Sequence, residues 1–212
     1  MWIRLVGSEM CIRDSCNPGS TKIIRDIFDV VKEDIDVLVE LIGGVETARD
    51  LIAAALNSGK HVVTANKAVI FEHGEELINL AIKNNVRLLF ESSVCAGTPT
   101  IKILSNDLSA NKISKVAGML NGTTNFILTK MEEDNMSFDE VLQIAKDKGF
   151  TSDAESKLDI DCYDAAHKLT ILSTLCFGYI LKFKNNFIDG ISNIKIDDIN
   201  NAKKLGYRIK LI

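Results

Sequence analysis

Between Ile35 and Glu91 the chain alternates short apolar runs with amphipathic stretches, and that alternation leaves few folds open. Ile35-Asp36-Val37-Leu38-Val39-Glu40-Leu41-Ile42 has the length and β-branched content of a buried strand and stops at Gly43-Gly44. Glu46 to Ser58 is Ala/Leu-rich at helical spacing and is closed by Gly59. Lys60 to Thr64 reads as a second strand, Phe71 to Asn84 as a second helix, and Val86 to Glu91 as a third strand. Strand, helix, strand, helix, strand with short Gly-bearing links predicts a parallel α/β sheet with right-handed crossovers. Ligands of such sheets bind beyond the carboxyl ends of the strands. Those ends are Ile42-Gly43-Gly44, Thr64-Ala65-Asn66-Lys67 and Glu91-Ser92-Ser93. Upstream, Ile23, Ile24, Ile27, Phe28 and Val31 recur at helical spacing and predict a helix from about Thr21.

A dinucleotide fold opens with a strand and G-x-G-x-x-G at a helix start, with an acidic residue about 20 positions later. Neither feature stands in this sequence. The opening stretch, MWIRLVGSEMCIRDS, lacks the charged, apolar and small-residue segments of a secretory signal. It resembles translated adaptor sequence. Residues 1–20 are therefore read as foreign or disordered, with little packed structure before Thr21, and Trp2 is given no role.

Beyond the third strand the pattern changes. Cys95-Ala96-Gly97-Thr98-Pro99 leads into a helix from Thr100 to about Leu108, with the proline suited to a first helical turn. Ile113–Leu120 reads as a strand, Asn121–Asn125 as a polar turn and Phe126–Met131 as a helix. Ser137-Phe138-Asp139-Glu140 has the form of a capping box and starts a helix ended by Gly149. One long helix is expected to open at Asp159 and run through Leu175 to Gly178. Strands near Ile188–Ile194 and Tyr207–Ile212 and a short helix at Asp197–Lys204 complete a second α/β unit.

The most suggestive charges lie at the start of that long helix. Asp164 and Lys168 are four apart and share a face, with Asp161 one turn earlier. A solvated surface pair would look the same, and such pairs are common. A glycine-bearing acidic turn upstream and a second lysine, Lys67, at a strand end favour a site. His167 falls on another face and reads as structural. A net charge of -4 offers no electrostatic footing for nucleic acid or an acidic membrane surface. No apolar run reaches the ~18 residues of a membrane span. Cys11, Cys16, Cys95, Cys162 and Cys176 form no CxxC pair, which suggests free thiols in a reducing cytoplasm.

Five motifs stand in order: ELIGG (Glu40–Gly44), GKHVVTANKA (Gly59–Ala68), FESSVCAGTP (Phe90–Pro99), LNGTTNFILTKM (Leu120–Met131) and YDAAHK (Tyr163–Lys168). Together they resemble homoserine dehydrogenase, from about Ile35 to the end. The resemblance implies a truncated Rossmann-like parallel sheet followed by an α/β catalytic and dimerisation domain. On that plan 21–92 is a partial NAD(P)-binding domain and 93–212 the C-terminally truncated catalytic domain. It also implies reduction of L-aspartate 4-semialdehyde to L-homoserine with NADPH or NADH, on the route to threonine, methionine and isoleucine. Lys168 matches the proton donor, Asp164 a substrate-holding carboxylate and Lys67 a lysine between cofactor and substrate. The family's substrate-gripping glutamate falls on Asp153 or Glu155, because the turn here carries an extra residue. Asp159 matches a further carboxylate near substrate. Ile42, Gly43, Gly44, Thr64, Asn66 and Lys67 match the cofactor loops. Glu91, Val94, Ala96 and Thr98 match a sodium site. A homodimer is the family expectation.

The chemistry suits these residue types. Hydride arriving at an aldehyde carbon leaves negative charge on oxygen, which needs a proton or a nearby cation. An ammonium serves both purposes, since partial burial brings a lysine's pKa towards neutrality. Two other readings remain open: a non-catalytic remnant or regulatory module that keeps the fold, and a related semialdehyde or amino-acid dehydrogenase. Without the glycine-rich backbone cradle for a pyrophosphate, the 212-residue polypeptide is expected to show little or no turnover. Homoserine-dependent reduction of NADP by this polypeptide, followed by absorbance, checks that expectation.

Overall fold

Two short strands open the chain, β1 (Ile3–Leu5) pairing in parallel with β2 (Lys22–Ile24), Ile3 opposite Lys22. The computed structural model describes residues 3–5, 20, 22–153, 156–178 and 187–212; Trp2, Cys11, Cys16 and Glu155 lie outside the described residues. The strand at Ile3–Leu5 departs from the expectation of little structure before Thr21. The helix expected from Thr21 is replaced by β2 and a 3-10 helix, Ile27–Lys32. Asp26 explains the division, because its carboxylate caps the Phe28 N–H at 2.9 Å and so starts the turn only after Ile24.

The expected parallel sheet follows. β3 (Val37–Glu40), β4 (His61–Thr64) and β5 (Leu88–Leu89) are ordered β3-β4-β5, with Val37 opposite His61 and Val62 opposite Leu88. α1 (Glu46–Asn57) and α2 (Lys67–Lys83) make the two crossovers. Helical spacing buries Ala48, Leu51, Ile52, Ala55 and Leu56 on α1 and Val69, Leu77 and Ala81 on α2. These pack with Leu38 and Val62 into one core. The alternate residues Val37 and Val39 are about half exposed, at 47% and 56%. β3 is therefore covered on one face, where its apolar run suggested burial on both. α2 begins at Lys67, earlier than the periodicity implied, because the Asn66 side chain caps the Val69 N–H at 3.2 Å.

The chain divides into two compact units, Met1–Ile103 and Leu104–Ile212. The expected helix from Thr100 is a single α-turn, Thr100–Lys102, running into a π-helical turn, Ile103–Asp107. In the second unit α3 (Gly122–Asp134) and α4 (Phe138–Asp147) precede α5 (Ser156–Ile160), α6 (Tyr163–Phe177) and α7 (Ile196–Lys204). Ile127, Leu128 and Met131 of α3 meet Val141, Ala145, Ile160, Ile191 and Ile199 in its core. The capping box at Ser137 forms as its spacing predicts, the Ser137 N–H donating to Glu140 Oε2 at 2.8 Å.

Two expectations for this unit are corrected. Ile113–Leu120, Ile188–Ile194 and Tyr207–Ile212 are not strands, since none of these segments has a hydrogen-bonded strand neighbour among the described residues. The alternation of the last segment is used against a helix: Ile209 and Leu211 pack on the core while Lys210 Nζ donates to Thr129 Oγ1 at 2.6 Å. The second correction concerns the long helix from Asp159. It is two helices, broken at Asp161-Cys162, where Cys162 takes a left-handed conformation with φ 71°.

A later segment docks on this break. The Ile191 N–H donates to the Ile160 carbonyl at 2.8 Å. A Cβ on Gly190 would stand 2.2 Å from that same oxygen and 2.7 Å from Asp161 Cα, so only glycine fits. Gly190→Ala must displace backbone. It is expected to destabilise the second unit by about 1–3 kcal/mol, read as a lowered urea midpoint.

Candidate active site

The carboxyl ends of β3 and β4 are joined by a buried carboxylate. Glu40 is 1% exposed; its Oε1 accepts the Ile42 N–H at 2.8 Å and its Oε2 the Thr64 hydroxyl at 2.5 Å. Thr64 Oγ1 in turn accepts the Asn66 N–H at 2.9 Å, and Asn66 Nδ2 donates to the Gly44 carbonyl at 2.7 Å. Ile42, Gly43 and Gly44 are thereby tied to Thr64 and Asn66, the two loops that the strand order marks as ligand-facing. Gly43 and Gly44 have φ of 72° and 74°, and a Cβ built on either would meet nothing within 4 Å. Their backbone is open to close approach, as a phosphate-bearing ligand requires. Lys67 is the first residue of α2.

In the second unit the charged groups meet across the helix break. Lys168 Nζ donates to Asp164 Oδ2 at 2.7 Å and to the Leu120 carbonyl at 2.9 Å. The two side chains are 19% and 13% exposed. This is not the solvated surface pair that i,i+4 spacing alone would suggest. Asn121 Nδ2 donates to Asp164 Oδ2 at 2.9 Å and to Asp159 Oδ1 at 2.7 Å. Asp159 Oδ2 accepts the hydroxyl of buried Thr151 at 2.9 Å. Asp159, Asp164 and Lys168 thus converge with Asn121 and Thr151 at the N-terminus of α3.

Asp161 sits in the turn before α6, off the stripe that a continuous helix would have made. Asp153 is 91% exposed and pairs with Lys146 Nζ at 2.6 Å; hydrogen bonding to that ammonium holds its carboxyl below the usual range. Glu155 lies outside the described residues. Glu91 accepts the Ile101 N–H at 2.7 Å and the Lys102 N–H at 2.8 Å, and so caps the turn after Pro99. Val94 is buried, and the Thr98 N–H donates to the Cys95 carbonyl at 2.9 Å within the same loop as Ala96. Cys95, Cys162 and Cys176 are free thiols. Burial, then the nearby Asp164 and Asp189 carboxylates, push the Cys162 thiol up, away from reactivity.

Asn121, Thr151 and Glu40 carry the geometry yet drew no assignment from the sequence. For Asn121 a signal existed: an Asn immediately before a helix start is a preferred N-cap. Which carboxylates its amide would reach depends on the helix break, which no local pattern encodes.

A parallel sheet whose carboxyl-edge loops, Gly43-Gly44 and Thr64–Asn66, are tied together defines the first unit as Rossmann-like. Residues 11–91 match the family model for the NAD-binding domain of homoserine dehydrogenase, and residues 99–212 the homoserine dehydrogenase model. The chain belongs to the homoserine dehydrogenase family. A homoserine dehydrogenase of Pseudomonas aeruginosa is 47% identical over 196 residues, which cover 92% of this chain and 45% of that protein. The crystal structure of a homoserine dehydrogenase from Thiobacillus denitrificans matches with a TM-score of 0.86 at 44% identity, over 91% of this chain and 44% of that one. A hyperthermophilic archaeal homoserine dehydrogenase in complex with NADPH matches with a TM-score of 0.75 at 33% identity, over 83% and 54%. The chain spans about half the length of such relatives. No helix of the described residues is long and apolar enough to cross a membrane.

The Glu40 bridge makes a separate expectation. Glu40→Ala leaves the Thr64 hydroxyl and the Ile42 N–H without their acceptor. Each buried orphan is worth about 1–3 kcal/mol, so a clear fall in the chemical-denaturation midpoint of the first unit is expected.

Proposed function

We propose that these residues are the cofactor-binding and catalytic portions of an active homoserine dehydrogenase, the 212-residue polypeptide alone showing little or no turnover. The full-length enzyme interconverts L-aspartate 4-semialdehyde and L-homoserine with NADPH or NADH, in the biosynthesis of threonine, methionine and isoleucine. The observation that carries this reading is the largely buried Lys168–Asp164 pair, tied to the Leu120 carbonyl and the Asn121 amide. NADPH bound to the archaeal relative supports the choice of cofactor class. On this reading 21–92 is part of the nucleotide-binding domain and 93–212 part of the catalytic and dimerisation domain of a cytoplasmic homodimer.

The open backbone at Gly43 and Gly44 fits a pyrophosphate-bearing ligand. Ile42, Gly43, Gly44, Thr64, Asn66 and Lys67 would hold the dinucleotide, Glu40 keeping the two loops in register. When bound, its nicotinamide supplies or accepts the hydride. Lys168 handles the proton. As the aldehyde carbon gains hydride, its oxygen gains negative charge and takes H⁺ from Lys168 Nζ, giving the alcohol and a neutral amine. In the oxidative direction the neutral amine removes that proton. Asp164, Asp159 and either Asp153 or Glu155 hold the substrate, whose ammonium group suits a carboxylate. Lys67 serves between cofactor and substrate. Glu91 with the backbone oxygens of Val94, Ala96 and Thr98 would hold a sodium ion; a carboxylate that accepts two N–H groups keeps further lone pairs for a hard cation.

Two substitutions in the full-length enzyme test the assignment. Lys168→Ala is expected to lower kcat by about 10²–10⁴-fold, the range of general acid–base groups; a loss under about tenfold removes Lys168 from the reaction. Asp164→Ala is expected to raise KM for homoserine above all, and an unchanged KM would withdraw its substrate-holding role.

A further inference from the structure

We propose that Asn121 is the positioning residue of this site: one side-chain amide fixes both carboxylates beside Lys168 while its backbone neighbour fixes the ammonium. The proposal rests on the reading of Lys168 and Asp164 given above.

Asn121 is 6% exposed and stands in extended conformation at the N-cap of α3. Its Oδ1 accepts the Thr124 N–H at 2.8 Å and the Thr124 hydroxyl at 3.0 Å. The cap therefore determines which way the amide faces. A flipped amide would set an NH₂ against a backbone N–H and an oxygen against two carboxylates. With Oδ1 committed to the cap, the two hydrogens of Nδ2 point to Asp159 Oδ1 at 2.7 Å and Asp164 Oδ2 at 2.9 Å. Donors and acceptor of the amide are all used.

The two carboxylates come from different helices. Asp159 belongs to α5 and Asp164 to α6, and the left-handed turn at Cys162 brings them to one point. Like charges brought together repel, and a shared donor between them offsets that repulsion. The residue preceding Asn121 completes the ring, since the Leu120 carbonyl accepts from Lys168 Nζ, which also donates to Asp164. A shift of the α3 N-terminus therefore moves the proton donor and both carboxylates together.

The side-chain chemistry is narrow. Serine would cap α3 as well but could not bridge the carboxylates. Aspartate would cap it and add a third negative charge. Alanine would lose cap and bridge together. Asn121→Ser and Asn121→Asp thus remove the bridging donor while keeping the helix start.

The experiment compares full-length wild type, N121S, N121D, D164A, N121S/D164A, N121D/D164A and K168A, with thermal unfolding of each. N121S is expected to stay folded with a lowered unfolding temperature, and N121D, which adds a charge beside two carboxylates, to unfold lower still. Their kcat is expected to fall at least tenfold, within the roughly 10²-fold loss that misplacement by about 1 Å brings, with a raised KM for homoserine. Because Asn121 acts on KM through Asp164 as well as Asp159, N121S should raise KM by a smaller factor in the D164A background than in wild type, where fully independent effects would multiply. Native kcat and KM in N121S, with K168A inactive, would overturn the positioning role and leave the reading of Lys168 standing. Multiplicative KM effects in the double variant would overturn it as well. An active K168A would instead overturn the reading of Lys168 itself. Should N121S fail to fold, N121D, which keeps the shape of the side chain, decides by the same kinetics and cycle.

Discussion

A lysine ammonium kept largely out of water is the constraint from which the second unit's local structure follows. Taking such a charge from solvent is unfavourable by several kcal/mol unless partners replace the lost water. Lys168 finds them in the Asp164 carboxylate and the Leu120 carbonyl, so the start of α6 and the chain just before α3 must meet. The second carboxylate, Asp159, joins the same amide only because the helix breaks at Cys162. A non-glycine residue in the left-handed region is unfavourable by about 1–2 kcal/mol. The break is nevertheless braced, because the segment through Gly190 and Ile191 closes on the Ile160 carbonyl.

The first unit solves a related problem with a different group. Parallel strands end in backbone that faces a ligand and cannot be covered by its own sheet. Glu40 gathers the Ile42 N–H and the Thr64 hydroxyl, and Asn66 reaches across to the Gly44 carbonyl. The loops are held by side chains from beneath, and the glycines above remain open. In both units an Asn at a helix N-cap uses its oxygen to start the helix and its NH₂ to hold a second segment of chain. Asn66 does so towards Gly44 and Asn121 towards the two aspartates.

Legibility in the sequence varied with the range of the interaction. α1 and α2, the capping box at Ser137 and the Gly178 stop of α6 are local, and each follows from spacing or from one residue's backbone preference. Asp164 and Lys168 were legible as a pair because i,i+4 geometry is also local. Asp159, Thr151 and Asn121 were not legible as one cluster, since their contacts span 8, 38 and 43 residues of chain. The strands expected at Ile113–Leu120 and Tyr207–Ile212 failed for a related reason. Alternation creates two faces, but a strand exists only where a neighbour accepts its hydrogen bonds.

By itself, then, the sequence determined the α/β alternation of the first unit, its carboxyl-end loops, the Ser137 capping box, the Gly178 stop and the family, because each is written in spacing or in contiguous motifs. The tertiary structure alone decided that the long helix breaks, that Lys168 is sheltered, and that Asp159 and Asp164 share one amide. Those outcomes depend on satisfying buried charge and backbone through partners far along the chain. A one-dimensional pattern holds no record of which distant carbonyl or amide will supply them.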